Sequence, residues 1–150
     1  MSIRVIVRRV ESADFDQWRR LWDGYNCFYG RPDFPAEITL ITWSRFFDAD
    51  EPVRALVAER DGHLLGLAHY LFHRSTTMIE PTCYLQDLFT TEAARGSGVG
   101  RSLIESVYRT AKAAGSERVY WQTHETNAIA IGLYEKVAQR SGFIVYRKQL

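Results

Sequence analysis

The sequence predicts a single mixed α/β domain over residues 1–150, and three observations support this fold class. The chain is 46% apolar and has a net charge of +1, which suits one globular unit with a sizeable core. Strand-like and helix-like segments alternate in the order β, α, α, β, β, β, α, β, α, β, without repeats or low-complexity linkers. Antiparallel hairpins precede a crossover unit, so we expect one mixed sheet with helices on its faces.

The N-terminal third of the chain is predicted to form a strand and two helices. Alternating β-branched residues indicate a strand over residues 3–10. A helix is expected after Ser12, because aromatic side chains recur there at three- and four-residue steps. These residues are Phe15, Trp18, Trp22, Tyr25 and Phe28 or Tyr29. The run Gly30-Arg31-Pro32 ends the helix, since proline moves its predecessor out of the helical region. A second, shorter helix is expected over about residues 36–49.

The middle of the chain is predicted to form three strands. Two of them, at about 53–60 and 64–73, are joined by Asp61-Gly62, a dipeptide typical of hairpin turns that need positive φ. The third is expected at about 82–90.

A helix with one apolar stripe is predicted over about residues 98–114. We expect Glu105 and Arg109 to form an ion pair on its outer face, and Gly115 to cap its end. Three further elements complete the predicted fold: a strand at about 118–123, a helix at about 127–139 and a last strand at about 143–149.

Composition disfavours several classes of protein. The two cysteines, Cys27 and Cys83, belong to no CxxC pair or Cys/His cluster, so neither a disulfide framework nor a metal site is expected. The N-terminus is too short and too charged for a signal peptide, and no run of 18 apolar residues is present. We therefore expect a cytoplasmic protein with no nucleic-acid or membrane partner, since the near-zero net charge supports neither.

The most informative segment is a glycine-rich turn between a strand and a helix, Arg95-Gly96-Ser97-Gly98-Val99-Gly100. Backbone amides at a helix start lack intrahelical partners and carry the positive end of the helix dipole. Glycines allow a ligand close to the backbone, so the turn suits a phosphate or pyrophosphate. Arg95 and Arg101 could each add a charged donor.

Nucleotide-binding motifs can be tested against this turn. A Walker loop would need glycine at position 95 and lysine at 101, where arginine stands at both. A dinucleotide fingerprint starting at Gly96 would also need glycine at 101. Both motifs fail, which disfavours a nucleotide-binding regulatory domain. From these residues alone, a glycine-rich turn without a ligand stays open.

The turn resembles the signature (Gln or Arg)-x-x-Gly-x-(Gly or Ala) of the Gcn5-related N-acetyltransferases. Downstream, Asn127 to Lys136 is similar to the family's second motif, N-x-x-A-x-x-L-Y-E-K, and is followed by Gly142-Phe143. The run Val119 to Asn127, with three extra residues before Ser141, further resembles the yeast histone and polyamine acetyltransferase-like subgroup. This resemblance implies a mostly antiparallel central sheet, flanked by helices and splayed after the fourth strand. It also implies acetyl-coenzyme A as acetyl donor, a primary amine as acceptor and no metal.

The resemblance assigns the coenzyme site residue by residue. It implies that the turn amides and Arg101 bind the pyrophosphate. Main-chain groups of the fourth strand would pair with the pantetheine arm, at Leu88, Phe89 and Thr90. Tyr134 would protonate the departing thiolate, and its alternative is packing beside Leu133. Asn127 either contacts the coenzyme or caps its helix.

The general base is not specified by the resemblance. Relatives carry a glutamate on the fourth strand or near the end of the fifth, but the second position here is Gln122, which cannot act as a base. Asp87 is the better candidate, as a base or as an anchor for a cationic amine, with a structural role as the alternative. His124 and Glu125 are further options, each with simple loop exposure as the alternative.

The acceptor site is expected beside the first two helices, which vary among relatives. Tyr25 and Tyr29 are candidates for an aromatic wall that attracts a cation, whereas Trp18 and Trp22 are expected in the core. Polyamine, amino acid, protein lysine and other amines stay open as acceptors. A non-catalytic acyl-coenzyme A sensor is the alternative function. A homodimer through the C-terminal segment is a further expectation from the relatives.

Overall fold

The computed structural model describes residues 4–150 and contains a five-stranded sheet in the order β1-β2-β3-β4-β5. The first three pairings are antiparallel and the β4–β5 pairing is parallel, as expected for a mixed sheet. The elements are β1 Ile6–Arg9, α1 Phe15–Phe28, α2 Ala36–Arg45, β2 Val53–Arg60, β3 His63–His73, β4 Thr82–Thr90, α3 Val99–Ala113, β5 Val119–Tyr120 and α4 Ala128–Val137.

Two apolar clusters cover the opposite faces of this sheet. Strand residues alternate between faces, so Val57 and Leu67 join the α1 and α2 side, while Ala58 and Ala68 join the α3 side. Trp18 is fully buried on the α1 side, which confirms its expected place in the core. Within residues 4–150, no helix has both the length and the apolar character needed to cross a membrane.

The hairpin between β2 and β3 forms as predicted. Asp61 and Gly62 both have positive φ, 54° and 79°, which is the conformation that this two-residue turn requires. The expected cap of α3 is also present: the Gly115 amide donates to the Lys112 carbonyl (3.0 Å), and φ at Gly115 is 87°.

Strand β4 contains the irregularities that shape the site. His69 pairs with Asp87 and Tyr70 with Leu85, so Gln86 is an extra residue that forms a β-bulge. On its other edge, β4 pairs with β5 only at Cys83 and Tyr84. Beyond that point the two strands separate, which confirms the expected splay.

Several expectations about element ends were wrong. Helix α2 ends at Arg45, and β5 contains only Val119 and Tyr120, because the splay leaves residues 121–123 without a partner strand. The last strand, expected at 143–149, is absent from the described chain, since residues 138–150 pair with no strand. The first strand begins at Ile6, and Ile3 of its expected range lies outside the described residues.

The expected ion pair of α3 was also wrong. Glu105 accepts from Arg101 (Nε–Oε1 3.0 Å), one turn earlier, while Arg109 donates to the Ser106 hydroxyl (2.8 Å). Both arginines lie four residues from Glu105, so the spacing alone does not choose between them.

Candidate active site

The glycine turn presents a row of amides at the start of α3. Gly96 and Gly98 have positive φ of 79° and 86°, a conformation that glycine adopts without strain. The first intrahelical bond runs from the Ser102 amide to the Gly98 carbonyl (3.0 Å), so the amides of residues 99–101 precede it. Apart from the glycine and its two chain neighbours, no heavy atom of the described residues lies within 4 Å of the position that a Cβ would take at Gly96 or Gly98. The turn is therefore an open cradle for an anionic group.

The two arginines beside this turn have different surroundings. The Arg95 guanidinium lies over the rings of Phe28 (5.6 Å) and Phe89 (5.7 Å), and its Nε donates to the Thr90 carbonyl (3.3 Å). Arg101 is exposed and paired with Glu105. Arg95 thus joins the turn to the end of β4, while Arg101 lies on the outer surface of α3.

The main chain of β4 approaches the turn at Leu88, Phe89 and Thr90. These residues pair on one side with Ala68, Leu67 and Gly66 of β3. Their other edge is not covered by β5, because the pairing with β5 stops at Tyr84. Since residues along a strand direct their backbone groups alternately to either edge, this segment retains donors and acceptors for an extended ligand.

Asp87 lies at the bulge of β4, where its carboxylate meets a buried histidine. Its Oδ2 is 2.9 Å from His69 Nδ1, and the side chain is only 10% exposed. Bulges commonly re-aim a side chain, and here Asp87 follows the extra residue Gln86.

The carboxylate also acts on two tyrosines at the end of α1. Burial and then the charge of Asp87 raise the pKa of Tyr25 and of Tyr29, while the positive charge of Arg31 lowers both. The Arg31 guanidinium carbon lies 5.9 Å from the Tyr25 ring centre and 5.8 Å from that of Tyr29. One acidic and one basic group therefore flank the same pair of phenols.

Tyr134 projects from α4 toward this cluster. Burial, and then the proximity of Tyr29, raise the pKa of Tyr134 to about 12, so the phenol is protonated at neutral pH. Its ring packs edge-on against Trp121, with centroids 5.3 Å apart. Leu133, the preceding residue, lies 3.5 Å from the position that a Cβ would take at Gly100, so this part of α4 lies between the glycine turn and the end of α1.

The remaining candidates lie in the loop before α4 and at the two cysteines. Asn127 occupies the N-cap position without a capping bond, and its amide reaches the Thr123 hydroxyl at 3.5 Å, so the side chain does not cap the helix. His124 and Glu125 are exposed on this loop, unlike the nearly buried Asp87. Burial raises the pKa of Cys83 to about 11, which makes it a poor nucleophile.

Two residues beside the site, Arg31 and His69, were missed by sequence reasoning, whereas Trp22 lies in the core as expected. In the sequence, Arg31 was considered only as part of the Gly30-Arg31-Pro32 run that ends a helix. His69 lies in a strand whose other residues are mostly apolar. The Trp22 indole N–H is buried without a hydrogen-bond partner among the described residues, and its ring stacks on Tyr25 at 5.2 Å. A polar residue on the buried face of β3 was the one signal that could have singled out His69.

The arrangement can align two reactants. An anionic cofactor would lie along the turn and the open edge of β4, with the phenol of Tyr134 at its reactive end. A cationic group would meet the carboxylate of Asp87 on the other side. Holding two reactants in register can lower a barrier by roughly 7–11 kcal/mol.

A family model and a known relative each match most of this chain. Residues 17–138 match the model of the acetyltransferase (GNAT) family. Over 147 residues the chain is 37% identical to the D-amino-acid N-acetyltransferase HPA3 of Saccharomyces cerevisiae, covering 97% of this chain and 91% of that protein.

Solved acetyltransferase structures have the same fold. The aminoglycoside N-acetyltransferase AAC(6')-Iy in complex with CoA superposes with a TM-score of 0.85 at 18% identity, covering 99% of this chain and 97% of that one. Its complex with the bisubstrate analogue CoA-S-monomethyl-acetylneamine gives a TM-score of 0.83 at 20% identity, covering 98% and 99%. At these identities the likeness shows the fold alone.

Proposed function

The chain belongs to the GNAT family of N-acetyltransferases, as its two motifs predict, and we propose that its acceptor is a free amino acid. Members of this family use acetyl-coenzyme A as the acetyl donor. The proposal concerns the acceptor half of the site, where the sequence left polyamine, amino acid and protein lysine open. The observation that carries it is the presence of Asp87 and Arg31 beside the same two tyrosines.

A zwitterion fits two opposite charges better than a polyamine does. The ammonium group would pair with the buried carboxylate of Asp87. The substrate carboxylate would accept from Arg31, whose Nε is engaged by the Asn26 side chain at 2.9 Å while its two terminal nitrogens offer further donors. A polyamine would leave the guanidinium facing a second cation, which costs free energy. The name of the yeast relative, a D-amino-acid N-acetyltransferase, supports the same class.

In the proposed reaction, the acceptor nitrogen attacks the thioester carbon directly. Asp87, alone or through water, takes one proton from the ammonium group, the new C–N bond forms and the C–S bond breaks. The nitrogen then gives up its second proton, which restores the Tyr134 phenol after that residue has protonated the thiolate. Tyr134 donates its phenolic proton to the departing thiolate, a role for which the raised pKa keeps it protonated. The products are the N-acetylated amine and the free thiol.

The proposed coenzyme site uses the backbone more than side chains. The amides of Gly96, Gly98, Val99, Gly100 and Arg101 would hold the pyrophosphate, while the Ser97 amide donates to the Ala94 carbonyl at 3.4 Å. Leu88, Phe89 and Thr90 would pair with the pantetheine arm, and Asn127 would contact it from the loop before α4. The open cradle at the helix start supports this placement, because the fit needs close approach to the main chain.

The test is thiol release from acetyl-coenzyme A across a matched acceptor panel. We expect turnover with D- or L-amino acids and at least a tenfold lower kcat/KM with their methyl esters and amides, since both lack the carboxylate. Polyamines and aminoglycosides complete the panel. Faster turnover with a polyamine than with every amino acid would overturn the proposed acceptor. Coenzyme binding without release for any amine would favour the sensor function instead.

A pair of arginine variants tests directly whether Arg31 recognises the carboxylate of a zwitterionic substrate. Arg31→Met should raise KM for amino acids by about 10- to 100-fold but leave the esters unaffected, because only the free acids use the guanidinium. Arg19→Met is the matched control, since Arg19 is exposed on α1 and forms only a 4.0 Å pair with Asp23. Equal effects of Arg31→Met on acids and esters would exclude Arg31 from carboxylate recognition.

We also propose that two copies associate through residues 138–150. This tail carries four consecutive apolar residues, Phe143 to Tyr146, that are 70–89% exposed. Its backbone pairs with no strand of the described chain, and exposed apolar segments with free backbone groups favour association. The free edge of β5 supports strand addition by a second copy.

A further inference from the structure

A chain of hydrogen bonds links a buried tryptophan to the carboxylate of the site. The Trp18 indole N–H donates to His69 Nε2 at 3.0 Å, and His69 Nδ1 lies 2.9 Å from Asp87 Oδ2. Trp18 and His69 are 0% and 1% exposed, and the carboxylate is nearly buried. The three side chains come from α1, β3 and β4, so the two hydrogen bonds link three secondary-structure elements.

The direction of these bonds determines the state of the imidazole. An indole nitrogen is a donor only, so Nε2 of His69 must accept and carries no proton. The remaining proton is then on Nδ1, which donates to the Asp87 carboxylate. An imidazole protonated on both nitrogens could not accept the hydrogen bond from the Trp18 indole.

Aromatic rings hold the imidazole in this orientation. The His69 ring centre lies 4.7 Å from that of Phe46, 5.2 Å from Trp22 and 5.9 Å from Trp18. A flipped ring would direct carbon atoms at both polar partners, and a buried unsatisfied group costs roughly 1–3 kcal/mol. The surroundings thus favour one rotamer and one tautomer.

We propose that Trp18 and His69 are positioning residues for acetyl transfer, which rests on the proposed role of Asp87 toward the acceptor amine. The Nδ1–H of His69 donates a hydrogen bond to one carboxylate oxygen of Asp87 and so fixes the rotamer of that side chain. The carboxylate, which also interacts with the Tyr25 phenol, is then held toward the acceptor amine. Trp18 acts one step further away, by keeping Nε2 of His69 an acceptor.

A first experiment reads the tautomer without any substrate. In ¹⁵N-histidine-labelled protein, His69 should show the chemical shift of a protonated nitrogen at Nδ1 and of a bare nitrogen at Nε2 at neutral pH. Trp18→Phe keeps an aromatic ring but removes the donor, so it should lose this signature. A protonated Nε2 in the unmodified protein would overturn the proposal whatever its activity.

A second experiment separates positioning from packing. The amide nitrogen of asparagine is as many bonds from Cα as Nδ1 of histidine, so His69→Asn retains the donor to Asp87. We expect His69→Asn to keep kcat within about threefold, while His69→Leu loses roughly 10- to 100-fold, as for a hydrogen bond to a charged group. The KM for acetyl-coenzyme A should not change in either variant.

His63→Leu and His63→Asn are the controls, because His63 is exposed at the start of the same strand. An unchanged kcat in folded His69→Leu, or equal losses in His69→Leu and His69→Asn, would overturn the proposal. If His69→Leu does not fold, Trp18→Phe decides by the same kcat and tautomer readouts. The absence of thiol release from the unmodified protein with every amine would instead overturn the proposed function, and with it the positioning role.

Discussion

At the residue scale, burial keeps the hydroxyl groups of the site neutral. Desolvation is the first cause of the raised pKa at Tyr25, Tyr29 and Tyr134. The charges in this cluster therefore come from Asp87 and Arg31. This separation of roles suits a reaction that needs an anchor for a cation, a donor for an anion and a proton for a leaving thiolate.

Tyr134→Phe tests the proton donor. It should lower kcat by about 10²- to 10⁴-fold and leave the Kd of coenzyme A unchanged, because only the phenolic proton is removed. Since the pKa of Tyr134 is raised to about 12, the unmodified enzyme should lose this donor only as pH rises toward 12. Tyr108→Phe is the control, as its hydroxyl donates only to the Val137 carbonyl (2.9 Å). An unchanged rate in Tyr134→Phe would remove the residue from catalysis.

At the element scale, the start of α3 is the proposed binding site for the coenzyme pyrophosphate. Gly98→Val places a β-branched residue at a φ of 86°, which costs about 1–2 kcal/mol and moves the first amides of the helix. Calorimetric titration should then show at least a tenfold weaker Kd for coenzyme A. Gly115→Val introduces similar backbone strain at the other end of the helix, where φ is 87°. Equal affinities in the two variants would contradict a phosphate role for the turn.

The start of α1 depends on one guanidinium. Arg8 donates twice to the Asp14 carboxylate, at 2.7 and 2.9 Å, and once to Glu59 at 2.9 Å. This network joins β1 and β2 to the turn before α1. Helix α1 in turn carries Trp18 and Tyr25. Its contribution to the active site is thus the placement of the helix.

Asp14→Asn should lower the free energy of unfolding by about 1.5–3 kcal/mol at pH 7, measured by urea denaturation. The Arg8 hydrogen bonds lower the pKa of Asp14 below 3.8. A depressed pKa means that this stability is complete above pH 3.8 and is lost as pH falls through the folded-state value. The variant should lack that acid-dependent part. Asp23→Asn, in an exposed pair, should change little, and an equal loss there would refute the argument.

At the scale of the whole molecule, the tail is the segment that the fold leaves uncovered. We expect the unmodified chain to be a dimer by light scattering and Ile144→Asp/Tyr146→Asp to be a monomer, because alternate residues of an extended chain share one face. Ile129→Asp controls for lost surface hydrophobicity, since Ile129 is 91% exposed on α4. A monomeric unmodified chain would refute assembly through the tail.

Local patterns predicted most of the fold. The aromatic spacing of α1, the apolar stripe of α3 and the Asp61-Gly62 turn are short-range signals, and all three elements formed. The errors occurred where an element depends on a partner. Strand β5 was shortened and the strand at 143–149 is absent from the described chain, because a strand needs a neighbour as well as β-branched residues.

For the site, the sequence by itself determined which family the chain belongs to and predicted the donor half, since the glycine turn and the Asn127–Tyr134 motif are each contiguous. It also nominated Asp87 but could not show what holds it. Only the tertiary structure brought His69 of β3 to that carboxylate, with Trp18 of α1 bonded to His69 in turn. It also placed Arg31, from the loop after α1, beside Tyr25 and Tyr29. Contacts between distant segments depend on strand register and helix packing, which no short pattern encodes. The contacts on which the proposed acceptor half rests were therefore decided by the fold.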